Sequence, residues 1–401
     1  MCSFIYSFID LLYYLKNKKK INKINRILKN KSLKLKKNIL IQIDHKGQYQ
    51  HVSGIVSLLL NDKNYSNIIL SSNSDLEFLK KKISERVILI NSKIIKFLKK
   101  VDVNLKCNFE DQSVHNSISI YLGHGFLVKR NYIPKNYFEG IDHFFLYGPT
   151  QYRVVKHYIK NAKFDKKKIK FWKVGYPNYD DQINNNYNIN KIKKDLFIKN
   201  NRYNILFSPA WEGRTHLLSD LDTIMNIFSN IKSYNFIIKL HPSLFVDKKS
   251  PSYNFYTGGI DWNKRLEKYV NNYNNIFFYK DLKINPLFKI SDLMITDFSG
   301  VALGFMLERK PVIFLNNKKT FDKDFIKLGY DSFIGKNSLI NSGRNYGLKI
   351  NSYSKIEESI KKVFNNYVFY QNKTNNFRRG FLYNPGKATN IAYRLINNIV
   401  L

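Results

Sequence analysis

The sequence predicts an α/β protein with two parallel sheets, and three observations carry that prediction. Short apolar runs alternate with helical patterns from residue 38 to residue 315, the signature of parallel strands joined by crossover helices. An Asn-rich connector at residues 180–190 divides these runs into two series. The 401 residues suit two domains of roughly 150–200 residues better than one. Hydrophobic residues make up 44% of the chain and aromatics 15%, enough for two cores, which excludes a disordered protein.

The chain opens on a segment unlike the rest. Residues 4–15 are apolar and aromatic, but the run is about a dozen residues long and the span of a bilayer needs ~20. It also lacks the basic n-region and small-residue cleavage site of a signal peptide. Residues 16–37 hold eleven Lys or Arg and no acid, with Ile21, Ile24, Ile27 and Leu28 at helical spacing. An aromatic segment joined to a basic amphipathic one suits an anionic membrane interface, where each Lys contributes about 1 kcal/mol. The same pattern fits a helix packed on the body of the protein with a solvated basic face. Residues 1–37 are expected to be a membrane-association arm.

The first series of strands is expected at residues 38–43, 68–70, 87–90, 118–122 and 143–147. The second is expected at residues 204–207, 235–240, 276–279, 293–296 and 311–315. Open parallel sheets bind ligands beyond the carboxyl ends of their strands, and the unusual residues fall there. In the first series these are Asp44-His45-Lys46-Gly47 and Gly123-His124-Gly125. In the second they are Ser208-Pro209-Ala210-Trp211, His241-Pro242-Ser243 and Asp297-Phe298-Ser299-Gly300.

Each has a physical reading. Gly123 and Gly125 let the backbone turn tightly around His124, whose ordinary pKa of about 6.5 suits a general base. Pro242 fixes the exit from the strand at His241, which as a donor would stabilise charge on a phosphate oxygen. Asp297, Ser299 and Gly300 open a helix whose N–H groups and dipole favour an anion such as a diphosphate. Plain N-capping explains Asp297 and Ser299 equally well.

Charge narrows the field less than it promises. A balance of 67 Lys and Arg against 30 Asp and Glu, net +37, points to a polyanionic partner. A composition rich in Lys, Asn, Ile and Tyr accounts for part of that excess without any partner. A nucleic-acid-binding protein is one reading, but the dense basic block is confined to residues 16–37 and no RNA or DNA module is present. Cys2 and Cys107 make neither a disulfide framework nor a zinc set, which points to a reducing cytoplasm and no metal. The chain has no GxxxxGK[ST] loop and no GxGxxG after its first strand, which argues against a P-loop NTPase and a dehydrogenase.

At these same residues the chain resembles a known family. The segments are Gly123-His124-Gly125, Gly175-Tyr176-Pro177 with Asp180, residues 205–211 (ILFSPAW), Lys239-Leu240-His241-Pro242, residues 291–299 (SDLMITDFS) and residues 310–314 (KPVIF). In this order they resemble the CDP-glycerol glycerophosphotransferase family, the teichoic-acid primases and polymerases. Asn384-Pro385-Gly386-Lys387-Ala388 is similar to that family's terminal element.

The resemblance implies a GT-B-like fold, two Rossmann-like domains with parallel sheets facing a central cleft. Residues 38–180 would form the acceptor side and 181–385 the nucleotide-donor domain, with a helix in 386–401 crossing back to the first. Taken with the basic arm, the expectation is a peripheral enzyme at the cytoplasmic face of the cell membrane, its arm facing anionic lipid and binding no nucleic acid. That enzyme would move phosphoglycerol, or a related phosphoalcohol, from a CDP-alcohol donor to a hydroxyl of a surface polymer or lipid-linked acceptor, releasing CMP. His124 would be the base, and His241 would act in catalysis and hold the donor. Ser208, Pro209, Asp297, Ser299, Gly300 and Glu308 would complete the donor site. Gly123, Gly125 and His45 would lie on the acceptor side, with no metal or cofactor required, and His51 is read as structural.

The chain departs from the family pattern at Phe126 and Leu127, where the family continues Thr-Pro, at Ala210 and Glu212 within its Pro-Thr-Trp-Arg element, and at Asn178. Because these positions touch substrate contacts, the alternative is a GT-B glycosyltransferase of capsule or lipopolysaccharide synthesis using a nucleotide sugar. A UDP-sugar epimerase shares the His-Pro and Asp-x-Ser-Gly geography but would be expected to bring more carboxylates.

Overall fold

The computed structural model describes residues 2–29, 36–43, 46–72, 87–124, 135–198, 201–211, 216–250, 253–281, 283–316, 326 and 343–400. The first sheet comprises β1 (Lys37–Gln42), β2 (Tyr65–Ser72), β3 (Val87–Asn91), β4 (Val103–Lys106), β5 (Ile118–Tyr121), β6 (His143–Leu146) and β7 (Lys170–Lys173). Their order is β3-β2-β1-β4-β5-β6-β7. The second comprises β8 (Asn204–Phe207), β9 (Asn235–Ile238), β10 (Ile276–Phe278), β11 (Leu293–Thr296), β12 (Val312–Leu315) and β13 (Leu348–Ile350), ordered β10-β9-β8-β11-β12-β13. All described pairings are parallel. Each sheet reverses its order once, between β1 and β4 and between β8 and β11, where doubly wound sheets open a ligand crevice. The expected class, two Rossmann-like parallel sheets, is the fold the chain adopts.

Three strands escaped the sequence reading, for physical reasons. β4 is buried along its whole length, yet Asn104 and Lys106 interrupt its apolar run. The Asn104 amide donates to the Gln112 carbonyl at 2.8 Å and accepts from Gln42 Nε2 at 2.7 Å, so its burial is compensated. β7 and β13 are edge strands with half-exposed residues, and their polar content hides them.

The two sheets begin alike. Asn67 Nδ2 donates to Asn38 Oδ1 at 2.8 Å in the first, and Asn235 Nδ2 donates to Asn204 Oδ1 at 2.9 Å in the second. An aspartate ahead of the neighbouring strand then takes the backbone N–H of each first asparagine: Asp102 from Asn38 at 2.7 Å and Asp292 from Asn204 at 2.8 Å. These bonds occupy polar groups at the amino edges of both sheets and lock the register there.

The amino-terminal helix Cys2–Leu28 spends its apolar stripe on the protein itself. Ile21, Ile24 and Leu28 are buried with Leu40, Ile69, Ile90 and Ile94 beside the first sheet, and Ile27 alone of that set is exposed. Asn25 fixes the helix by donating to the Phe97 carbonyl and accepting the Lys99 N–H, both at 2.9 Å. The basic side chains of Lys16, Lys18, Lys19, Lys20, Lys23 and Arg26 face outward, beside exposed Leu12 and Leu15. Among the described residues, no helix is long and apolar enough to cross a membrane.

The last helix, Ala388–Val400, packs Ala392 and Ile396 against Val52, Ile55 and Val56 of helix Lys46–Asn61, within the core of the first sheet. Its first N–H groups, on Ala388 and Thr389, reach the Asp180 carboxylate at 3.2 and 2.6 Å, so two separate sequence motifs meet as a helix cap. The Asn-rich connector is not the linker its composition suggested. It contains helix Asp180–Ile183 and leads into helix Ile189–Asp195; Gln182 is buried and donates to the Gly304 carbonyl at 2.9 Å. Ile183, Ile192 and Leu196, sparse among the asparagines, pack into the core that includes β8 and β11 residues.

Candidate functional site

At the carboxyl edge of the first sheet, Gly123 adopts φ of +71°, a conformation that suits glycine and turns the chain immediately after β5. His124 follows, its imidazole exposed and its Nδ1 lying 3.1 Å from the Cys107 carbonyl oxygen beyond β4. A carbonyl only accepts, so Nδ1 carries the proton and the neutral ring keeps its basic lone pair on Nε2. That is the tautomer a general base at Nε2 requires.

His51 joins this edge although it lies in a helix rather than at a strand end. Its ring centroid is 6.2 Å from that of His124, and the Tyr176 hydroxyl is 2.6 Å from its Nδ1. Tyr176 is oriented by Gly175, whose φ is +99° and whose missing side chain admits the Tyr383 carbonyl; a Cβ there would sit 2.3 Å from that oxygen. The reading of His51 as merely structural overlooked this placement. The Gly-Tyr-Pro motif was the available signal, since it supplies the hydroxyl. Gly125 and His45, expected on the same side, lie outside the described residues.

The second sheet gathers the donor-side candidates around its order reversal. Asp297, fully buried after β11, accepts the N–H of Ala210 at 2.9 Å and that of Ser299 at 3.1 Å through one oxygen, Oδ1. It ties the loop beyond β8 to the loop beyond β11. Asp297 was expected to hold the donor; its described bonds through Oδ1 position Ser208, Pro209 and Ala210 against Ser299 and Gly300. Ser208 and Pro209 are themselves buried, and the Ser208 carbonyl accepts from Thr296 Oγ1 at 2.7 Å. Ser299 and Gly300 are half-buried at the start of helix Val301–Met306.

His241, beyond the adjacent β9, is held in the tautomer opposite to that of His124. Its Nδ1 accepts the Ser243 N–H at 3.2 Å, so in the neutral ring the proton resides on Nε2. Trp211 stacks on the imidazole with centroids 5.4 Å apart and planes 25° apart. One step before His241, Lys239 is 3% exposed and donates to the Leu240 carbonyl at 2.9 Å. Burial pushes its pKa down to about 8, with Asp281 opposing the shift.

Glu308, expected at the donor site, makes its described contacts elsewhere. It follows the carboxyl end of helix Val301–Met306, and its carboxylate forms an ion pair with Lys289 at 2.8 Å, both side chains nearly buried. Lys289 also reaches Asn185 at 2.6 Å, so Glu308 belongs to the junction with the connector rather than to the strand-end edge. The six-residue helix, about 1.5 Å per residue, separates it from Ser299. Among the described residues, no group of three or more His, Cys, Asp or Glu stands together as a metal-ligand set.

Residues 149–324 match the family described as CDP-Glycerol:Poly(glycerophosphate) glycerophosphotransferase. The Teichoic acid poly(glycerol phosphate) polymerase of Bacillus spizizenii is 26% identical over 216 residues, 51% of this chain and 48% of that protein. The Minor teichoic acid biosynthesis protein GgaB of Bacillus subtilis is 35% identical over 98 residues, 23% of this chain and 11% of its own length. The matched region thus spans about half or less of either relative.

In fold, the likeness covers nearly everything. The Wall Teichoic Acid Polymerase TagF superposes with a TM-score of 0.65 at 16% identity, covering 99% of this chain and 98% of the TagF chain. A TagF variant soaked with CDPG for 30 minutes gives the same TM-score, 0.65, at 18% identity and equal coverage. A UDP-GlcNAc 2-epimerase from Neisseria meningitidis superposes less well, at 0.55 and 12% identity, over 90% of this chain and 100% of its own. The similarity to the CDP-glycerol glycerophosphotransferase family that the motifs implied is therefore shown by the family match over residues 149–324, and the fold across the chain is like that of TagF.

Proposed function

We propose that this chain is a transferase that moves phosphoglycerol from CDP-glycerol to a hydroxyl of a surface polymer or lipid-linked precursor. The observation that carries this reading is the pair of histidines held in opposite tautomers at the carboxyl edges of the two sheets. The acceptor oxygen attacks the phosphorus bearing glycerol, and its proton passes to Nε2 of His124. A new O–P bond forms as the diphosphate P–O bond breaks, and the electron pair leaves on CMP. Nε2–H of His241 donates to a diphosphate oxygen as charge grows there, with Lys239 adding positive charge nearby. Such a displacement asks the protein for positioning and charge stabilisation rather than covalent help. Ser208, Pro209, Ser299 and Gly300 would frame the donor, held in register by Asp297.

The same reading places the protein peripherally on the cytoplasmic face of the membrane. Support comes from the outward row of Lys16, Lys18, Lys19, Lys20, Lys23 and Arg26 beside Leu12 and Leu15, because the apolar stripe that first suggested this role is used by the core. Residues 1–37 would act as the arm, 38–180 as the acceptor side and 181–385 as the donor side, with the helix in 386–401 fastened to the first sheet.

Purified protein given CDP-glycerol and a lipid ending in glycerol phosphate should release CMP and lengthen the lipid by one phosphoglycerol unit. UDP-sugars should be inert. Turnover of UDP-sugars with none of CDP-glycerol would overturn the assignment in favour of a glycosyltransferase.

A further inference from the structure

We propose that helix Pro149–Asn161 and edge strand β7 together bind an anionic phosphodiester chain, holding a polymer by its body, away from its reacting end; the identity of that polymer rests on the transferase reading above. Dense basic charge was expected only in residues 16–37, yet residues 153–173 hold nine Lys or Arg and one acid, Asp165. All nine basic side chains are exposed, and among the described residues none of them takes part in an ion pair. Asp165 turns its carboxylate to the backbone, where it accepts the Lys167 N–H at 3.0 Å.

The fold gathers this charge on one surface. Arg153, Lys156 and Lys160 recur at spacings of three and four, so they share one face of helix Pro149–Asn161. The turn Lys166–Lys168 leads into β7, the last strand in the order of the first sheet, which exposes Lys170 and Lys173. Aromatic rings join helix to strand: Tyr152 meets Phe171 edge-on with centroids 5.3 Å apart. Lys156 lies over the Tyr152 ring at 4.8 Å, and Lys173 lies over the Tyr383 ring at 5.7 Å. These contacts hold two of the ammonium groups at the surface.

Like charges set so closely repel one another, and a ligand that brings many negative charges relieves that repulsion. A lone phosphate would answer one or two of the lysines, whereas a chain with a charge in every repeat answers the row. The place of the row favours a substrate polymer. Three residues beyond Lys173 stands Tyr176, which meets His51 beside His124 at the carboxyl edge. Asn384 fixes this end of the strand by donating to the Lys173 carbonyl at 2.7 Å. A chain lying along the lysines therefore has one end next to the reacting edge. Nucleic acid would draw on ring faces for base stacking. Here Lys156 and Lys173 each cover such a face, so charge dominates the surface.

The test uses the full chain, CDP-glycerol and two synthetic lipid acceptors, one ending in a single glycerol phosphate and the other carrying a poly(glycerophosphate) chain. The triple variant Lys156→Gln, Lys170→Gln, Lys173→Gln should raise KM about tenfold for the polymer-bearing lipid, the scale of three exposed charge pairs, and less than about twofold for the single-unit lipid. A control that removes equal charge from the other half, Lys264→Gln, Lys355→Gln, Lys362→Gln, should match wild type on both lipids. Binding is read separately, without donor, by titrating dye-labelled poly(glycerophosphate) at several salt concentrations. Loss of three phosphate contacts should flatten the slope of log K against log salt by about 2 in the triple variant. Equal KM increases on both lipids, an equal loss in the control, or an unchanged slope would overturn the site. Tighter binding of an oligodeoxynucleotide of the same charge, lost in the triple variant, would overturn it in favour of a nucleic-acid surface. If wild type binds the polymer but releases no CMP from CDP-glycerol with either lipid, the site stands and the transferase reading is overturned instead.

Discussion

At their amino edges the two sheets are built alike; at their carboxyl edges they differ. Asn38, Asn67 and Asp102 in the first sheet have counterparts in Asn204, Asn235 and Asp292 in the second, with matching bonds of 2.7 to 2.9 Å. Both sheets also reverse strand order at the same place in their series. At the opposite edges, a backbone carbonyl accepts from Nδ1–H of His124, whereas a backbone N–H donates to Nδ1 of His241. Under the proposed function the repeated edge is scaffold and the edge that differs carries the chemistry, with His124 taking a proton and His241 offering one.

The comparison can be broken most severely at the histidines. His124→Ala should lower CMP release in the presence of acceptor by about 10³-fold, within the range for a lost general base, and leave the donor KM nearly unchanged. His241→Ala should cost about 10²-fold and also weaken donor binding, as expected for a lost charge-stabilising donor. Interchangeable kinetic effects of the two variants would mean that the edges do not differ in role.

The scaffold half of the comparison is sharpened by Asp102→Ala and Asp292→Ala. Each removes a carboxylate acceptor from a first-strand N–H, and each should lower unfolding free energy by about 1–3 kcal/mol in denaturant titrations, with no change in KM. A loss of activity from Asp102→Ala alone would show that the amino edges are not equivalent.

Lys239 makes a smaller, pH-dependent difference. Its folded pKa, about 8, lies below the ordinary 10.5 of lysine, so between these values the unfolded chain binds more protons and wild-type stability gains with rising pH. Lys239→Met lacks this linkage. The variant should therefore be the more stable one at pH 7, by urea titration, and its advantage should shrink from pH 8 to pH 10. A pH-independent gap would contradict the buried ammonium. The smallest effect is expected from Glu308→Gln: because its carboxylate serves Lys289, transfer activity should stay within about twofold in steady-state assays. A tenfold rise in donor KM would return Glu308 to the donor site.

These residues also show what the sequence made legible. Apolar runs such as NILIQI and NILF announced the first strand of each sheet, and punctuation by Gly, His and Pro marked the strand ends where His124 and His241 stand. Strand β4 stayed hidden because Asn104 and Lys106 are buried polar residues whose compensation depends on partners distant in the chain, such as Gln42. The contact of His51 with Tyr176 stayed hidden because the two lie 125 residues apart, and no local pattern encodes that meeting. Asp297 was legible as a strand-end residue, but its bonds go to the N–H groups of Ala210 and Ser299, outside helix Val301–Met306, so it ties two loops rather than capping that helix. Glu308 entered the donor set through the family resemblance, and no local pattern in the sequence announced its ion pair with Lys289. In the amino-terminal helix, the spacing of Ile21, Ile24 and Leu28 identified an apolar face correctly, but periodicity alone does not say what covers it.

The central claim, that the two edges hold their histidines in opposite tautomers, is open to direct observation. Nitrogen-15 spectra of the imidazoles, recorded on histidine-labelled protein above their titration range and assigned with His124→Ala and His241→Ala, distinguish protonated from bare ring nitrogens. The account predicts a protonated Nδ1 in His124 and a protonated Nε2 in His241. Finding both rings in the same tautomer would contradict it.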